Sequence, residues 1–222
     1  MAQESGFVNY IPPNFNKEES LNRSEAFFNF LNQRRSIRAF SNQPVAKEVI
    51  SNIIKTASTA PSGAHKQPWT FCAVSSPKIK SEIRKAAEKE EYENYHGRMS
   101  DDWLKDLEKF DTNHIKPFIE IAPWLIIVFK QSYGIKNGEK DLHYYVNESV
   151  GLACGVLLTA IHNAGLVALT HTPSPLNFLT EILNRPKNEK PFLLIPVGYP
   201  EKDVKVPNLK RKELSEVAVW FE

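Results

Sequence analysis

The sequence predicts a sheet covered by helices, of α/β or α+β class. Three observations point there. Short apolar runs rich in β-branched and aromatic residues alternate with amphipathic segments along the chain. Hydrophobic residues make up 41% and charged residues 24% of 222 positions, the balance of a folded globular chain and not of a disordered one. From Ser149 to Thr180 there is no Asp, Glu, Lys or Arg, which marks a buried central element.

Residues 1–24 are polar, carry Pro12-Pro13 and read as an extended arm before a single domain over 25–222. A helix is expected over Glu25–Gln33, where AFFNFL is apolar. Val45–Thr59 places Val49, Ile50, Ile53, Ile54 and Ala57 on one helical face, and Pro61-Ser62-Gly63 ends it. Trp69–Val74 reads as a strand and Pro77–Glu93 as a charged helix. Of the 30 residues from Glu82 to Asp111, 16 are charged, yet Tyr92, Tyr95, Trp103 and Phe110 are interspersed. That mixture fits a lid with an aromatic inner face, extending over about 82–116, and equally a plain surface helix. Pro123–Phe129 is a central strand, and Tyr133–Lys140 a turn or loop. The charge-free stretch divides at Asn163-Ala164-Gly165 into a buried helix and a strand over Leu166–Leu169, because these residues end a helix and interrupt any membrane span. Leu176–Leu183 is expected to be helical and Phe192–Tyr199 a strand. A tail from Lys202 carries the basic cluster Lys210-Arg211-Lys212.

The charge balance, 28 basic against 26 acidic residues, makes no case for nucleic acid. Cys72 and Cys154 are too few for a disulfide framework or a cysteine-rich zinc site and fit a reducing compartment. The N-terminus lacks a signal-peptide pattern. A soluble, cytoplasmic protein is the expectation. The nine glycines form neither a G-x-G-x-x-G nor a P-loop pattern, and the six histidines have no H-x-x-x-H spacing, so no metal site is expected. Gly151 and Gly155 lie four apart on the buried helix and read as a packing surface, one suited to contact between subunits. What remains is anion chemistry. Arg34, Arg35 and Arg38 fall within five residues around Ser36, a set suited to a phosphate or to a solvated basic patch.

The motif R-R-S-I-R at 34–38, followed by P-S-G-A-H-x-Q-P-W at 61–69, resembles the nitroreductase-type flavoprotein superfamily. E-Y-E-N-Y-H-G-R-M at 91–99 with N-H-I-K at 113–116 singles out its iodotyrosine deiodinase group. The resemblance spans about residues 25–215. It implies an α+β fold with a central sheet flanked by helices, and an intertwined homodimer with shared active sites and one FMN per site. By similarity, Arg34, Arg35, Ser36, Arg38 and Arg211 would hold the FMN phosphate and ribityl region. Ser62 and Gly63 would contact the flavin from the partner subunit. Thr170, His171 and Thr172 would pass the isoalloxazine, and the hydroxyl of Thr170 or Thr172 would reach N5 as the catalytic hydrogen bond.

Ala64 would offer its backbone N–H to a phenolate. Glu91 and Tyr95, four apart on a helix, share a face. With Lys116 they supply the anion, neutral donor and cation that an amino-acid zwitterion requires. The implied activity is reductive dehalogenation of halotyrosines, 3-iodotyrosine to tyrosine and iodide. Electrons would come from a reduced nicotinamide, NADPH among them, or from a separate reductase. A broad nitroreductase or quinone reductase, or a non-catalytic flavin- or halotyrosine-binding module, are the alternatives.

Overall fold

The computed structural model describes residues 6–222, and the chain divides into two compact units, the residues up to Arg34 and Arg35–Glu222. Among the described residues the first unit contains one helix, α1 (Lys17–Asn32). It begins eight residues earlier than the polar composition predicts. Asn16 Oδ1 accepts the Glu19 N–H at 2.9 Å and Glu19 returns a carboxylate to the Asn16 N–H at 3.0 Å. This reciprocal cap, with Glu18 and Glu19 in the first turn, satisfies and neutralises the helix start. The expected arm at 1–24 is therefore helical from Lys17; residues 6–16 carry no helix or strand, and 1–5 lie outside the described residues.

The second unit contains the helices α2 (Lys47–Ala57), α3 (Pro77–Glu93), α4 (Asp101–Glu108), α5 (Phe118–Ile121), α6 (Val146–Asn163), α7 (Phe178–Ile182) and α8 (Leu214–Val217). Its strands are β1 (Trp69–Val74), β2 (Trp124–Gln131), β3 (Tyr133–Lys136), β4 (Glu139–Leu142), β5 (Val167–Ala168) and β6 (Glu189–Gly198). Four strands form an antiparallel sheet in the order β1-β2-β6-β5. The class is α+β.

The strand period of two explains why β2 is apolar throughout. Ile126 and Val128 join Ile195 and Val197 of β6 in a core under α2 and α6. Leu125, Ile127 and Phe129 join Leu194 in a second core with Ile83 of α3, Ile119 of α5 and Leu179 of α7. Both faces of the sheet are covered, and all five β2 residues are fully buried.

The sequence reading located β1 and α3 at their observed bounds. The segment Tyr133–Lys140 is not a loop but a hairpin. Asn137 and Gly138, with φ of 53° and 84°, form the left-handed two-residue turn that suits the twist of paired strands. The strand expected over Leu166–Leu169 is regular only at β5, yet the chain beyond it stays on the sheet edge. Leu169 N–H donates to Pro196 O, and His171 exchanges both backbone bonds with Leu194 at 2.9 and 3.1 Å. On the other side of β5, Ser36 bridges Ala168, and the Ile37 N–H donates to Ala168 O at 3.1 Å. This brings Ser36, Ile37 and Arg38 alongside the segment of the threonines.

Candidate active site

The edge segment after β5 forms one wall of a cavity of about 160 Å³. His171 spends its N–H and C=O on Leu194, so in an antiparallel ladder the backbone groups of Thr170 and Thr172 face the opposite way. Both threonines are exposed and line the cavity, whereas the His171 side chain is buried. Its ring meets Phe118 edge-on at 5.3 Å between centroids. The buried Nε2 has no hydrogen-bond partner among the described residues. Burial, helped by the charges of Lys116 and Arg38, pushes the imidazole pKa down to about 3. His171 is therefore neutral at physiological pH, with one polar atom unsatisfied.

The opposite wall comes from α3 and the segment after it. Glu91 stands on the last turn of α3, and Tyr95 follows on a π-helical turn, Asn94–Arg98. Lys116 arrives from the segment between α4 and α5. Glu91 and Lys116 are 6% and 4% exposed, and Glu91 Oε2 lies 3.5 Å from Lys116 Nζ. The ammonium also donates to Thr112 Oγ1 at 3.1 Å and to the Asn113 carbonyl, and it lies 5.4 Å from the centre of the Tyr95 ring. Tyr95 donates its hydroxyl to Thr112 O at 3.3 Å. Burial pushes the Glu91 carboxyl up, against the pull of Lys116 and His114. It pushes the Lys116 ammonium down, against the pull of Glu91. Desolvation thus outweighs the pairing for both groups, which marks a costly buried charge pair. Arg38, half-buried, completes the wall with its guanidinium carbon 5.1 Å from the Phe110 ring centre.

Of the expected residues, the cavity gathers Arg38, Glu91, Tyr95, Lys116, Thr170, His171 and Thr172. Arg35 and Ser36 are exposed on the bridged segment, and Arg211 is exposed on the tail; none lines the cavity. Arg34 is the last residue of the first unit, its N–H bonded to Leu31 O at 3.1 Å. Ser62, Gly63 and Ala64 do not line the cavity either. They sit on a strained turn, with φ of 49° at Ala64, 54° at His65 and 46° at Gln67.

Gly63 is required there, because a Cβ would lie 2.8 Å from the Tyr144 carbonyl oxygen. Its N–H donates to Ser149 Oγ at 3.2 Å, and Ser62 Oγ accepts the Gln67 N–H at 2.9 Å. His65 and Lys66 N–H groups are also bonded, which leaves Ala64 with the one unpartnered N–H of residues 63–67 among the described residues. Sequence reasoning missed Thr112, which holds both Tyr95 and Lys116, and the lining side chains Met99, Leu107 and Phe118. No local pattern marks them. Among the described residues no group of three or more His, Cys, Asp or Glu could hold a metal ion.

Known proteins share this arrangement of elements. The model of the nitroreductase family matches residues 31–199. Iodotyrosine deiodinase of Haliscomenobacter hydrossis is 58% identical over 222 residues, 100% of both chains. Iodotyrosine deiodinase 1 of Homo sapiens is 50% identical over 96% of this chain and 75% of its own length. The crystal structure of oxidized iodotyrosine deiodinase bound to FMN and 3-iodo-L-tyrosine superposes with a TM-score of 0.75 at 30% identity, covering 88% of this chain and 98% of the other. A BluB-like flavoprotein from Clostridium difficile, TM-score 0.68 at 21% identity, shares the fold. The chain belongs to the nitroreductase family and, within it, to the iodotyrosine deiodinases.

Proposed function

We propose that the protein is an FMN-dependent oxidoreductase that removes halogen from halotyrosines, converting 3-iodotyrosine to tyrosine and iodide. The observation that carries this is the buried Glu91–Lys116 pair beside Tyr95, in one cavity with Thr170 and Thr172 of the edge segment.

The residues fit a flavin. Thr170 and Thr172 present backbone and hydroxyl groups away from the sheet, and one of the two hydroxyls is the donor to flavin N5. The neutral His171 ring, packed against Phe118, backs this wall from the core side. Arg34, Arg35, Ser36 and Arg38 serve the phosphate and ribityl chain, since guanidinium forks suit phosphate oxygens. The chemistry supplied by reduced FMN when bound is two electrons; with one proton they replace the aryl carbon–iodine bond by carbon–hydrogen and release iodide.

The chain's own residues select and hold the substrate. A zwitterion between Glu91 and Lys116 takes the carboxylate of one for its ammonium and the ammonium of the other for its carboxylate. One stretched ion pair becomes two, and no net charge is added to the buried site. The Tyr95 hydroxyl supplies the neutral donor by turning its one proton from the Thr112 carbonyl to the substrate. The unpartnered Ala64 N–H on its strained turn binds the phenolate oxygen, which favours a halogenated phenol because the halogen lowers its pKa. Residues 82–116 act as the lid: Met99, Trp103 and Leu107 line the cavity from this segment and exclude water when it closes.

The functional unit is a homodimer that shares its active sites. Gly151 and Gly155 of α6 face open space, Leu152 between them is more than half exposed, and Trp220 and Phe221 in the tail are 71% and 93% exposed. These features support a second copy as the missing cover. They also support Ser62, Gly63, Ala64 and Arg211 reaching the partner's cavity. Among the described residues no helix is long and apolar enough to cross a membrane, and the free thiols of Cys72 and Cys154 support the cytoplasm as its compartment. Electrons enter from a reduced nicotinamide or a separate reductase.

The purified protein is expected to show an FMN spectrum whose fluorescence is quenched by 3-iodotyrosine and not by a nitroaromatic lacking an amino-acid group. A colourless protein, or quenching by the nitroaromatic alone, refutes the reading.

A further inference from the structure

Glu88 lies one helical turn before Glu91 on α3, and it does not line the cavity. Its Oε1 instead accepts the backbone N–H of Lys116 at 2.7 Å. The same oxygen accepts Arg84 Nε at 2.7 Å, and Arg84 Nη1 reaches Glu120 at 2.7 Å. Lys80 Nζ then donates to the carbonyls of Glu120 and Ala122, both at 2.8 Å. Three side chains of α3 thus fasten α5 from the residue Lys116 before it to the residue Ala122 after it.

Hydrogen bonds to an ionised carboxylate are about twice as strong as neutral ones. Among the described residues the Lys116 N–H has no other partner, and Lys116 is buried, so losing Glu88 strands a donor away from water. The side chain of a lysine is long and flexible. Where its ammonium reaches therefore depends on where its backbone is held. Here the hold comes from the element that also carries Glu91. The spacing between the anionic and cationic halves of the site is set within one helix and its clamp.

We propose that Glu88 is a positioning residue for amino-acid recognition, fixing the Lys116 ammonium opposite Glu91 by anchoring the Lys116 backbone to α3. This rests on the reading of Lys116 as the group that binds the substrate carboxylate. The charge of Glu88 acts in the same direction, since it opposes the loss of the Lys116 proton that burial favours.

The test uses the FMN-loaded protein and two probes read by flavin fluorescence, 3-iodotyrosine and 2-iodophenol, which keeps the halophenol and lacks the amino-acid group. Glu88→Ala is expected to weaken 3-iodotyrosine ~tenfold and 2-iodophenol less than ~twofold. Glu88→Gln keeps a carbonyl acceptor and is expected to lose only ~threefold, again for 3-iodotyrosine alone; it carries the test if Glu88→Ala fails to hold FMN. In a Lys116→Met background, Glu88→Ala is expected to add no further loss. Equal losses for both probes mean a general structural role and overturn the proposal, as does unchanged 3-iodotyrosine affinity when Lys116→Met weakens it. Undiminished 3-iodotyrosine binding in Lys116→Met overturns instead the role given to Lys116.

Discussion

Glu91→Gln is expected to lower the affinity for 3-iodotyrosine by ~1.5–3 kcal/mol, the worth of a charge-assisted contact, while FMN stays bound. That corresponds to roughly 10–150-fold in Kd. The variant keeps the shape of the side chain and removes the anion that a substrate ammonium needs. It also leaves the Lys116 ammonium buried beside Arg38 without its carboxylate. Titration by flavin fluorescence checks it, and an unchanged Kd would reduce Glu91 to a packing residue.

The pH dependence sharpens the same prediction. Binding needs Glu91 ionised and Lys116 protonated. Burial raises the Glu91 pKa, so as pH falls the carboxylate is lost earlier than an ordinary glutamate would be. Burial lowers the Lys116 pKa, so as pH rises the ammonium is lost earlier than an ordinary lysine. The contribution of this pair is therefore a bell narrower than the usual carboxylate-to-lysine range, and Glu91→Gln removes its own share of the acid limb while that of the substrate phenol stays. His171 contributes no inflection near neutrality, because its pKa of about 3 keeps it unprotonated there.

Arg38→Ala is expected to release FMN during gel filtration, with a weakening of about 1.5–3 kcal/mol for one charged hydrogen-bonding partner of a phosphate. The guanidinium is half-buried, and its contact with Phe110 is lost as well. Burial lowers its pKa, which Tyr95 opposes; an anion is the partner such a cation lacks. Full retention of FMN would remove Arg38 from the phosphate site.

How far the sequence discloses this molecule varies with the range of the interactions. The start of helix α3 is legible because Ser76 precedes Pro77, a favoured first helical residue, and Ile83 and Ala87 mark its inner face. The start of α1 is written in the Asn16 and Glu19 cap, which a reading based on the polar run and Pro12-Pro13 passes over. The hairpin turn was equally local, written in Asn137-Gly138. In the site, Glu91 and Tyr95 share a face by their spacing alone, and Lys116 entered through the motif at 113–116. Thr112 and Glu88 were not legible. Their contacts depend on the segment before α5 folding back onto α3, a tertiary event no periodicity encodes. The orphaned His171 Nε2 likewise follows from pairing with Leu194, which lies 23 residues away in sequence.

The central claim is that one buried site combines zwitterion recognition with reductive removal of halogen. Its most direct measurement is anaerobic: the flavin of the purified protein is reduced with dithionite, freed of excess reductant, and mixed with 3-iodotyrosine. The account predicts reoxidation of the flavin with one iodide and one tyrosine formed per flavin. A flavin that stays reduced in the presence of bound 3-iodotyrosine, with no iodide released, would contradict it.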